Sequence, residues 1–158
     1  MNSTRKIRRK RGDIVKIQLE NGYFTYALAL KSPLFAFFDI RTKDDLSVSD
    51  ICKSKVIFAL WVMDYAVTKG VWAIYDHVVL PAETSLEDVI FYKQDKISGK
   101  IYSYSNIDCS EHPITFEETE GKEAAAVWDP SHVEDRLRDY FAGAPNKWVQ
   151  SLKARRLE

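Results

Sequence analysis

The hydrophobic pattern of the chain centres on two short apolar runs. The first places eight apolar residues in a row at 56–63, and the second occupies residues 71–75. Both runs are rich in β-branched and aromatic residues, which is typical of strands rather than helices. Because a strand without polar positions is covered on both faces, the pattern predicts that this pair lies in the middle of a sheet. It also predicts that Trp61 and Trp72 pack in the core, with Trp61 fully buried.

Three further strands are predicted upstream of this pair, because apolar positions recur with a period of two. They cover residues 13–19, 23–30 and 34–40. Asn21-Gly22, between the first two strands, is the dipeptide that most strongly favours a tight hairpin turn with positive φ at both residues. The N-terminal part of the chain is therefore expected to form an antiparallel meander.

Downstream of the apolar pair the strand pattern is weaker. Residues 89–92 and 101–104 are predicted to form a hairpin around Ser98-Gly99, since glycine tolerates the backbone angles of a tight turn. Residues 105–122 contain no comparable period and many acids, so we expect an acidic loop there.

Two helices are predicted near the C-terminus and a short one upstream. Asp129, followed by Pro130, provides an N-cap for a helix that ends at Gly143. A shorter helix is predicted from Asn146, and Ser47 is predicted to cap the upstream helix. The longer helix has one apolar face, formed by Val133, Leu137, Tyr140 and Phe141. Together these elements predict an α+β fold: a strongly bent antiparallel β-sheet, open or barrel-like, with one or two C-terminal helices packed on it.

The length of the chain and the distribution of its charges predict the domain organisation. The chain has 158 residues, which is enough for one globular domain, predicted at 12–158. Net charge is zero, but residues 1–11 carry +6, residues 83–139 carry −8 and residues 140–158 carry +3. The first of these segments is predicted to be a flexible basic arm. Without a long apolar run or a secretory signal, the chain is expected to be cytoplasmic.

Residues that could carry catalysis or bind a metal are scattered. His77, His112 and His132 are far apart, and no histidine–cysteine pair has the spacing of a zinc site. Cys109 lies three residues before His112, but nothing supplies a group that would orient such a pair. Cys52 and Cys109 are expected to be reduced thiols. The sequence therefore predicts no catalytic, cofactor-binding or metal-binding residue, and a protein that is not an enzyme.

Acidic side chains in two predicted loops are the remaining candidates for a functional surface. Acids without apolar neighbours are usually only solvated, yet such a surface can also attract a basic partner and speed its association. The candidates are Asp44 and Asp45 in the first loop, and Glu111, Glu117, Glu118 and Glu120 in the second.

Four segments, in the order in which they follow one another along the sequence, resemble a known family. They are RGDIVKIQLENGYFTYALAL, PLFAFFDIRT, KGVWAIYDHVVLP and VWDPSHVEDRLRDYFAG, and together they extend over roughly residues 10–143. They are similar to the immunity protein 26 family, antidotes of bacterial polymorphic-toxin and contact-dependent inhibition systems. The residues that carry the resemblance are Gly12, Asp13, Gly22, Tyr23, Asp39, Gly70, Trp72, His132, Glu134 and Leu137.

The resemblance implies a cytoplasmic inhibitor that binds and occludes a toxin domain, without a cofactor and without an active site. The alternative is a small β-barrel that binds nucleic acid through the basic arm, although no aromatic pattern distinct from the core supports it. Neither a membrane partner nor an enzymatic function is indicated by any motif.

Overall fold

Nine strands and four α-helices are present among residues 7–157, the part of the chain that the computed structural model describes. In chain order they are β1 (Asp13–Gln18), β2 (Phe24–Ala29), β3 (Leu34–Phe38), α1 (Val48–Lys53), β4 (Val56–Val62), α2 (Tyr65–Thr68), β5 (Ala73–His77), β6 (Ile90–Gln94), β7 (Ile101–Ser105), β8 (Glu111–Pro113), β9 (Val127–Trp128), α3 (Pro130–Ala142) and α4 (Lys147–Ser151).

The strands form two sheets. The larger sheet has the order β5-β1-β2-β3-β4-β9, and the smaller sheet has the order β6-β7-β8. All pairings between neighbouring strands are antiparallel except that of β4 with β9, which is parallel. Because β5 and β9 are the two ends of the larger sheet, that sheet is open and does not close into a barrel. The predicted α+β class is confirmed.

Both faces of the larger sheet are covered, so it is the middle layer of three. Along β3, Phe35 points into one apolar cluster and Phe38 into the other, as the two-residue period of a strand requires. The first cluster includes Leu137 of α3, and the second includes Ile51 of α1 and Phe91 of β6. The helices α3 and α4 therefore lie on one face, and α1 and the smaller sheet lie on the other.

The turn between β1 and β2 has the predicted geometry. Asn21 has φ 54° and Gly22 has φ 81°, so both central residues are left-handed. The backbone N–H of Tyr23 donates to the carbonyl oxygen of Glu20 at 2.9 Å, which closes the turn. This geometry confirms that the dipeptide sets the connection and the register of the first hairpin.

Replacing Gly22 by valine should destabilise the protein through backbone strain alone. No atom lies within 4 Å of the position that a Cβ would take, so a larger side chain meets no neighbour. The left-handed conformation costs a β-branched residue about 1–2 kcal/mol, whereas asparagine tolerates it. We expect Gly22→Val to lower the denaturant midpoint and the control Gly22→Asn to change it little. Equal midpoints for the two variants would contradict the assignment.

The prediction that the two apolar runs form a pair of strands in the middle of the sheet is wrong. β4 lies next to β9 near one edge of the larger sheet, while β5 forms the opposite edge. Val71 and Ile74 are exposed, although both belong to an apolar run. After β4, the helix α2 carries the chain away, and β5 then pairs with β1 alone. The pairing contains a β-bulge in β5, where Tyr75 is the extra residue opposite Ile14 and Val15. A short apolar run shows that a strand forms, but its place in the sheet depends on this connection.

Trp61 is partly exposed, so the prediction of full burial is wrong for this residue. Its ring packs against Phe91, with 4.3 Å between ring centroids, and against Tyr104, and its Nε1–H donates to Asn106 Oδ1 at 2.8 Å. Trp61 therefore lies between the two sheets rather than inside one apolar layer. Trp72 is 1% exposed and is a core residue, as predicted.

The later elements agree with the sequence except for two short strands, β8 and β9, which the sequence pattern does not predict. The hairpin β6–β7 and the helices α1, α3 and α4 are confirmed, and Ser47, Asp129 and Asn146 each accept an N-capping hydrogen bond. The predicted loop at 105–122 contains β8, which pairs with β7. The longest helix, α3, has 13 residues, and no helix in the described part of the chain has the length and apolar character needed to cross a bilayer.

Basic residues of the N-terminal segment contact the domain. The Arg9 guanidinium donates to carbonyl oxygens at both ends of the β2–β3 turn. Arg11 forms a salt bridge of 2.8 Å with Glu87, which lies before the smaller sheet. Of the predicted flexible arm at 1–11, residues 1–6 lie outside the described residues, and these two arginines are bound to the body of the protein.

Candidate functional site

The three histidines lie in three separate environments. His77 Nδ1 is 2.8 Å from Asp13 Oδ1, the His132 ring stacks on Trp148, and His112 is exposed in β8. Among residues 7–157, no group of three or more histidine, cysteine, aspartate or glutamate side chains is placed to hold a metal ion. The remaining candidate site residues are the acidic side chains at the surface.

Asp13 is the buried acidic residue of the larger sheet, and its contacts give it a structural role. One carboxylate oxygen contacts His77, and the other accepts the Lys10 backbone N–H at 2.8 Å. Asp13 and His77 are also paired across β1 and β5. A buried carboxylate with both oxygens bound is satisfied, and here it holds the edge strand against the start of the sheet.

The first pair of candidate acids lies beside the edge of the larger sheet. Asp45 forms a salt bridge of 2.7 Å with Lys16 of β1, and Lys16 also lies over the Phe24 ring. Asp44 is exposed, and its backbone N–H donates to Thr42 Oγ1 at 3.0 Å. Asp44 is therefore the more available of the two charges for a partner.

The second set of candidate acids lies on and beside the smaller sheet. Glu111 of β8 pairs with Lys93 of β6 at 2.5 Å. Glu118 and Thr115 exchange two hydrogen bonds, of 3.1 and 3.2 Å, in the form of a capping box. The Thr115 backbone N–H holds the pKa of Glu118 below its ordinary value. Glu118 is thus a structural residue of its turn as well as a surface charge.

Glu117 and Glu120 line a cleft of about 530 Å³ between the 116–124 segment, α3 and the C-terminal residues. Glu117 pairs with Arg156 at 2.6 Å, and its own backbone N–H and this arginine hold the pKa of Glu117 below its ordinary value. Arg136 of α3 also lines the cleft, and its side chain is 14% exposed. Glu117 therefore stays charged at neutral pH.

Arg136 is held away from the candidate acids by other contacts. It forms a salt bridge of 2.6 Å with Glu123 and lies over the rings of Phe58 and Trp128. Its positive charge is therefore largely balanced by Glu123 rather than by Glu117 or Glu120. The acids of the cleft lining, Glu117, Glu120 and Glu123, are accompanied by four bases, Lys122, Arg136, Lys153 and Arg156. Among residues 7–157, Glu120 is the acid of the lining that forms no salt bridge.

A third group of acids, Glu83, Glu87 and Asp88, was not selected from the sequence. They line a cleft of about 570 Å³ together with Lys31 and Asn106. Glu87 is bound by Arg11, which holds its pKa below its ordinary value, and by the Lys31 backbone N–H at 2.6 Å. The net charge of −8 over residues 83–139 includes these acids, but no local pattern distinguishes them from solvated loop residues.

A comparison of the sequence with protein families shows to which family the chain is related. The family described as Immunity protein 26 matches residues 10–103, which is more than half of the chain. The chain belongs to the immunity protein 26 family. A search of curated proteins and a search of solved structures found no match.

The part of this immunity protein 26 family member that matches extends from the residues before β1 into β7. Asp44 and Asp45 lie inside it, whereas the other candidate acids lie beyond it. Among the residues that carry the resemblance, those of α3 also lie beyond it, and for residues 104–143 the resemblance stays a prediction. The candidate acids outside the match are the four of the second candidate surface, Glu111, Glu117, Glu118 and Glu120.

Proposed function

We propose that this immunity protein 26 family member neutralises a cognate bacterial toxin domain by binding and occluding it. The observation that carries the proposal is the family match over residues 10–103. The proposed partner is the C-terminal domain of a polymorphic or contact-dependent inhibition toxin, and the proposed location is the cytoplasm. The proposal requires neither a catalytic residue nor a cofactor, because inhibition by occlusion depends only on affinity and coverage.

Charge on the binding surface of such an inhibitor increases the rate at which it associates with its target. A toxin that acts at low copy number must be captured quickly, and complementary charge speeds diffusional encounter. Many surfaces that act on nucleic acid are basic, so an acidic surface on the antidote would attract them. Among residues 7–157, three of the six candidate acids, Asp44, Glu118 and Glu120, form no salt bridge within 4 Å. Because Glu118 is engaged in the capping box with Thr115, we propose Asp44 and Glu120 as the strongest candidates.

The nucleic-acid-binding alternative has less support. It relies on the basic N-terminal arm, but Arg9 and Arg11 are bound to protein carbonyl oxygens and to Glu87. Phosphate contacts need exposed, uncompensated cations. These two arginines would have to give up their contacts in the domain before they bound a phosphate backbone.

The first test of the proposed function is protection in cells. The chain is co-expressed with the C-terminal domain of a candidate toxin, chosen as a large secreted protein whose gene adjoins that of the chain, and the two purified domains are tested for complex formation. We expect restored growth and a stable complex. Continued toxicity with both proteins present at equal levels, together with the absence of a complex, would contradict the proposal.

Charge reversal at Glu120 should slow capture of the toxin without loss of stability. Glu120→Lys removes an exposed negative charge from the cleft rim, and we expect the association rate at low salt to fall by about threefold to tenfold. The effect should shrink at high salt because the charges are screened. Glu118 is left unchanged, since its reversal would also break the capping box with Thr115.

The matched control is Glu20→Lys, which changes the net charge equally at an exposed turn far from the smaller sheet in sequence. Its association rate should stay near that of the unsubstituted protein. Asp44→Lys provides the corresponding test of the first loop. If Glu120→Lys and Glu20→Lys have the same rate and salt dependence, the second acidic segment is not the binding surface.

A further inference from the structure

The last residues of the described chain, 153–157, follow α4 and lie across the smaller sheet. We call them the C-terminal segment. Their contacts with β6 begin at Gln94, whose side-chain amide meets the backbone of Arg155. Gln94 Nε2–H donates to the Arg155 carbonyl oxygen at 2.8 Å, and Gln94 Oε1 accepts the Arg155 N–H at 2.8 Å. One side chain therefore satisfies both backbone groups of a residue in another segment.

This arrangement recognises an extended main chain rather than a particular side chain. An amide that donates to a carbonyl and accepts from the N–H of the same residue reproduces one rung of a β-ladder. Peptide-binding proteins use such main-chain contacts for affinity and use neighbouring pockets for specificity. The side chains on either side of this rung should therefore be bound in distinct subsites.

Arg156, the residue after this rung, is bound through its basic side chain. Arg156 pairs with Glu117 at 2.6 Å, and its guanidinium lies over the Phe116 ring, 4.7 Å from the centroid. A carboxylate beside an aromatic face is a suitable pocket for a guanidinium, which forms both charge-assisted hydrogen bonds and cation–π contacts. This subsite includes one of the acids selected from the sequence.

The next residue, Leu157, places one side of its apolar side chain against the smaller sheet, while 61% of the residue remains exposed. Leu157 lies against Gly99, and a Cβ built at Gly99 would fall 2.2 Å from Leu157 Cδ2. Ile101, Pro113 and Ile114 line the cavity of about 510 Å³ around it. The groove thus offers, in order, a main-chain rung, an acidic and aromatic subsite, and an apolar subsite.

The C-terminal segment is held weakly in this groove. Within the described residues, the last backbone-to-backbone hydrogen bond in this part of the chain is that of Lys153 with Gln150, and residues 154–157 make none. The Arg156–Glu117 pair is exposed, with 64% and 62% of the two side chains accessible, so water and salt screen the attraction between the two charges. Three cavities of about 530, 510 and 770 Å³ share the segment as a wall, so the groove extends beyond its occupant.

We propose that this groove is a binding site for an extended basic peptide segment of the partner protein, and that the C-terminal segment occupies it in cis until the partner displaces it. The preferred ligand has an arginine or lysine followed by an apolar residue, as at Arg156 and Leu157. The identity of the partner as the toxin domain rests on the proposed function. The peptide specificity rests on the contacts of Gln94, Glu117 and Gly99.

The groove itself is tested without the toxin. The probe is a labelled synthetic peptide with the sequence of residues 151–158, added to the full-length chain and to the full-length double variant Arg156→Glu/Leu157→Ser. The substitutions should release the C-terminal segment. Because an intramolecular occupant competes at a high effective concentration, we expect the double variant to bind the peptide at least about tenfold more tightly than the unsubstituted chain.

Two controls give this experiment its specificity. Adding Glu117→Lys to the double variant should abolish most of the gain, and a peptide with the Arg156→Glu change should bind neither protein. Binding of the peptide to neither chain, or equally to both, would overturn the proposed groove. Unchanged melting temperatures in the variants ensure that the comparison concerns the groove and not the fold.

The toxin domain provides the second arm. If it uses the groove, release of the C-terminal segment should raise its affinity by a factor similar to that for the peptide, and Glu117→Lys should reverse the gain. An unchanged toxin affinity, with a raised peptide affinity, would overturn the assignment of the toxin as the occupant. If the unsubstituted chain fails to bind the toxin at all, the proposed function fails, and the peptide measurements still decide whether the groove exists.

Discussion

Replacing Trp72 by alanine should lower the free energy of unfolding by about 3–5 kcal/mol. Its indole is 1% exposed and makes edge-on contacts with Phe35 and Phe37, at centroid distances of 5.6 and 5.9 Å. Its Nε1–H also donates to Glu134 Oε2 at 3.2 Å, which joins the core of the larger sheet to α3. A loss of this size is a large fraction of the stability of an ordinary domain.

Trp61 provides the matched comparison, because it is the same residue type at a partly exposed position. We expect Trp61→Ala to cost about 1–3 kcal/mol, since part of its ring already contacts water. Chemical denaturation of both variants gives the two values. Trp72→Phe, which keeps a ring but loses the hydrogen bond to Glu134, should fall between the unsubstituted protein and Trp72→Ala. A larger loss for Trp61→Ala than for Trp72→Ala would contradict the assigned core.

The second large effect is expected for Gly12→Ala. Gly12 has φ 101°, and a Cβ there would lie 2.1 Å from the backbone oxygen of Val78. The Gly12 N–H donates to Ala29 at 2.7 Å and its carbonyl oxygen accepts from Val78 at 2.9 Å, so the strands on both sides fix this position. Strain and clash together should cost more than about 2 kcal/mol.

Gly22→Ala is the control that separates strain from clash. Gly22 also has a positive φ, of 81°, but no atom lies within 4 Å of the position of its Cβ. Its substitution should therefore show the conformational cost alone, and the additional loss for Gly12→Ala measures the close approach of Val78. The measurement is the denaturant midpoint of both variants at an unchanged slope. Equal losses would show that the segment around Gly12 relaxes and that the contact is not rigid.

Elements set by local residues could be predicted from the sequence. The turn at Asn21-Gly22 follows from residues that tolerate positive φ, and α3 follows from the Asp129 cap, its apolar face and Gly143. The order of the strands could not be predicted, because it depends on where α2 leads the chain after β4. For that reason the apolar run at 71–75 predicts a strand in the middle of the sheet, whereas β5, which begins within this run, forms an edge.

The candidate surface was predictable only as a composition. The sequence shows that Glu117 and Glu120 are charged, and the structure places both on one cleft. The sequence alone does not show that Glu117 pairs with Arg156 or that Gln94 binds Arg155, because these partners are 39 and 61 residues apart along the chain. Contacts over such separations depend on how the C-terminal segment crosses the smaller sheet, and no periodic pattern encodes that path.

The bulge in β5 protects the open edge of the larger sheet from other chains. An edge strand presents unpaired N–H and carbonyl groups to any extended segment, and a regular, apolar edge promotes aggregation. Here the bulge opposite Ile14 and Val15 increases the local twist, and Asp76 and His77 place polar groups at the end of the strand. Val71 and Ile74 can therefore remain exposed beside this edge without forming a flat template for fibril growth.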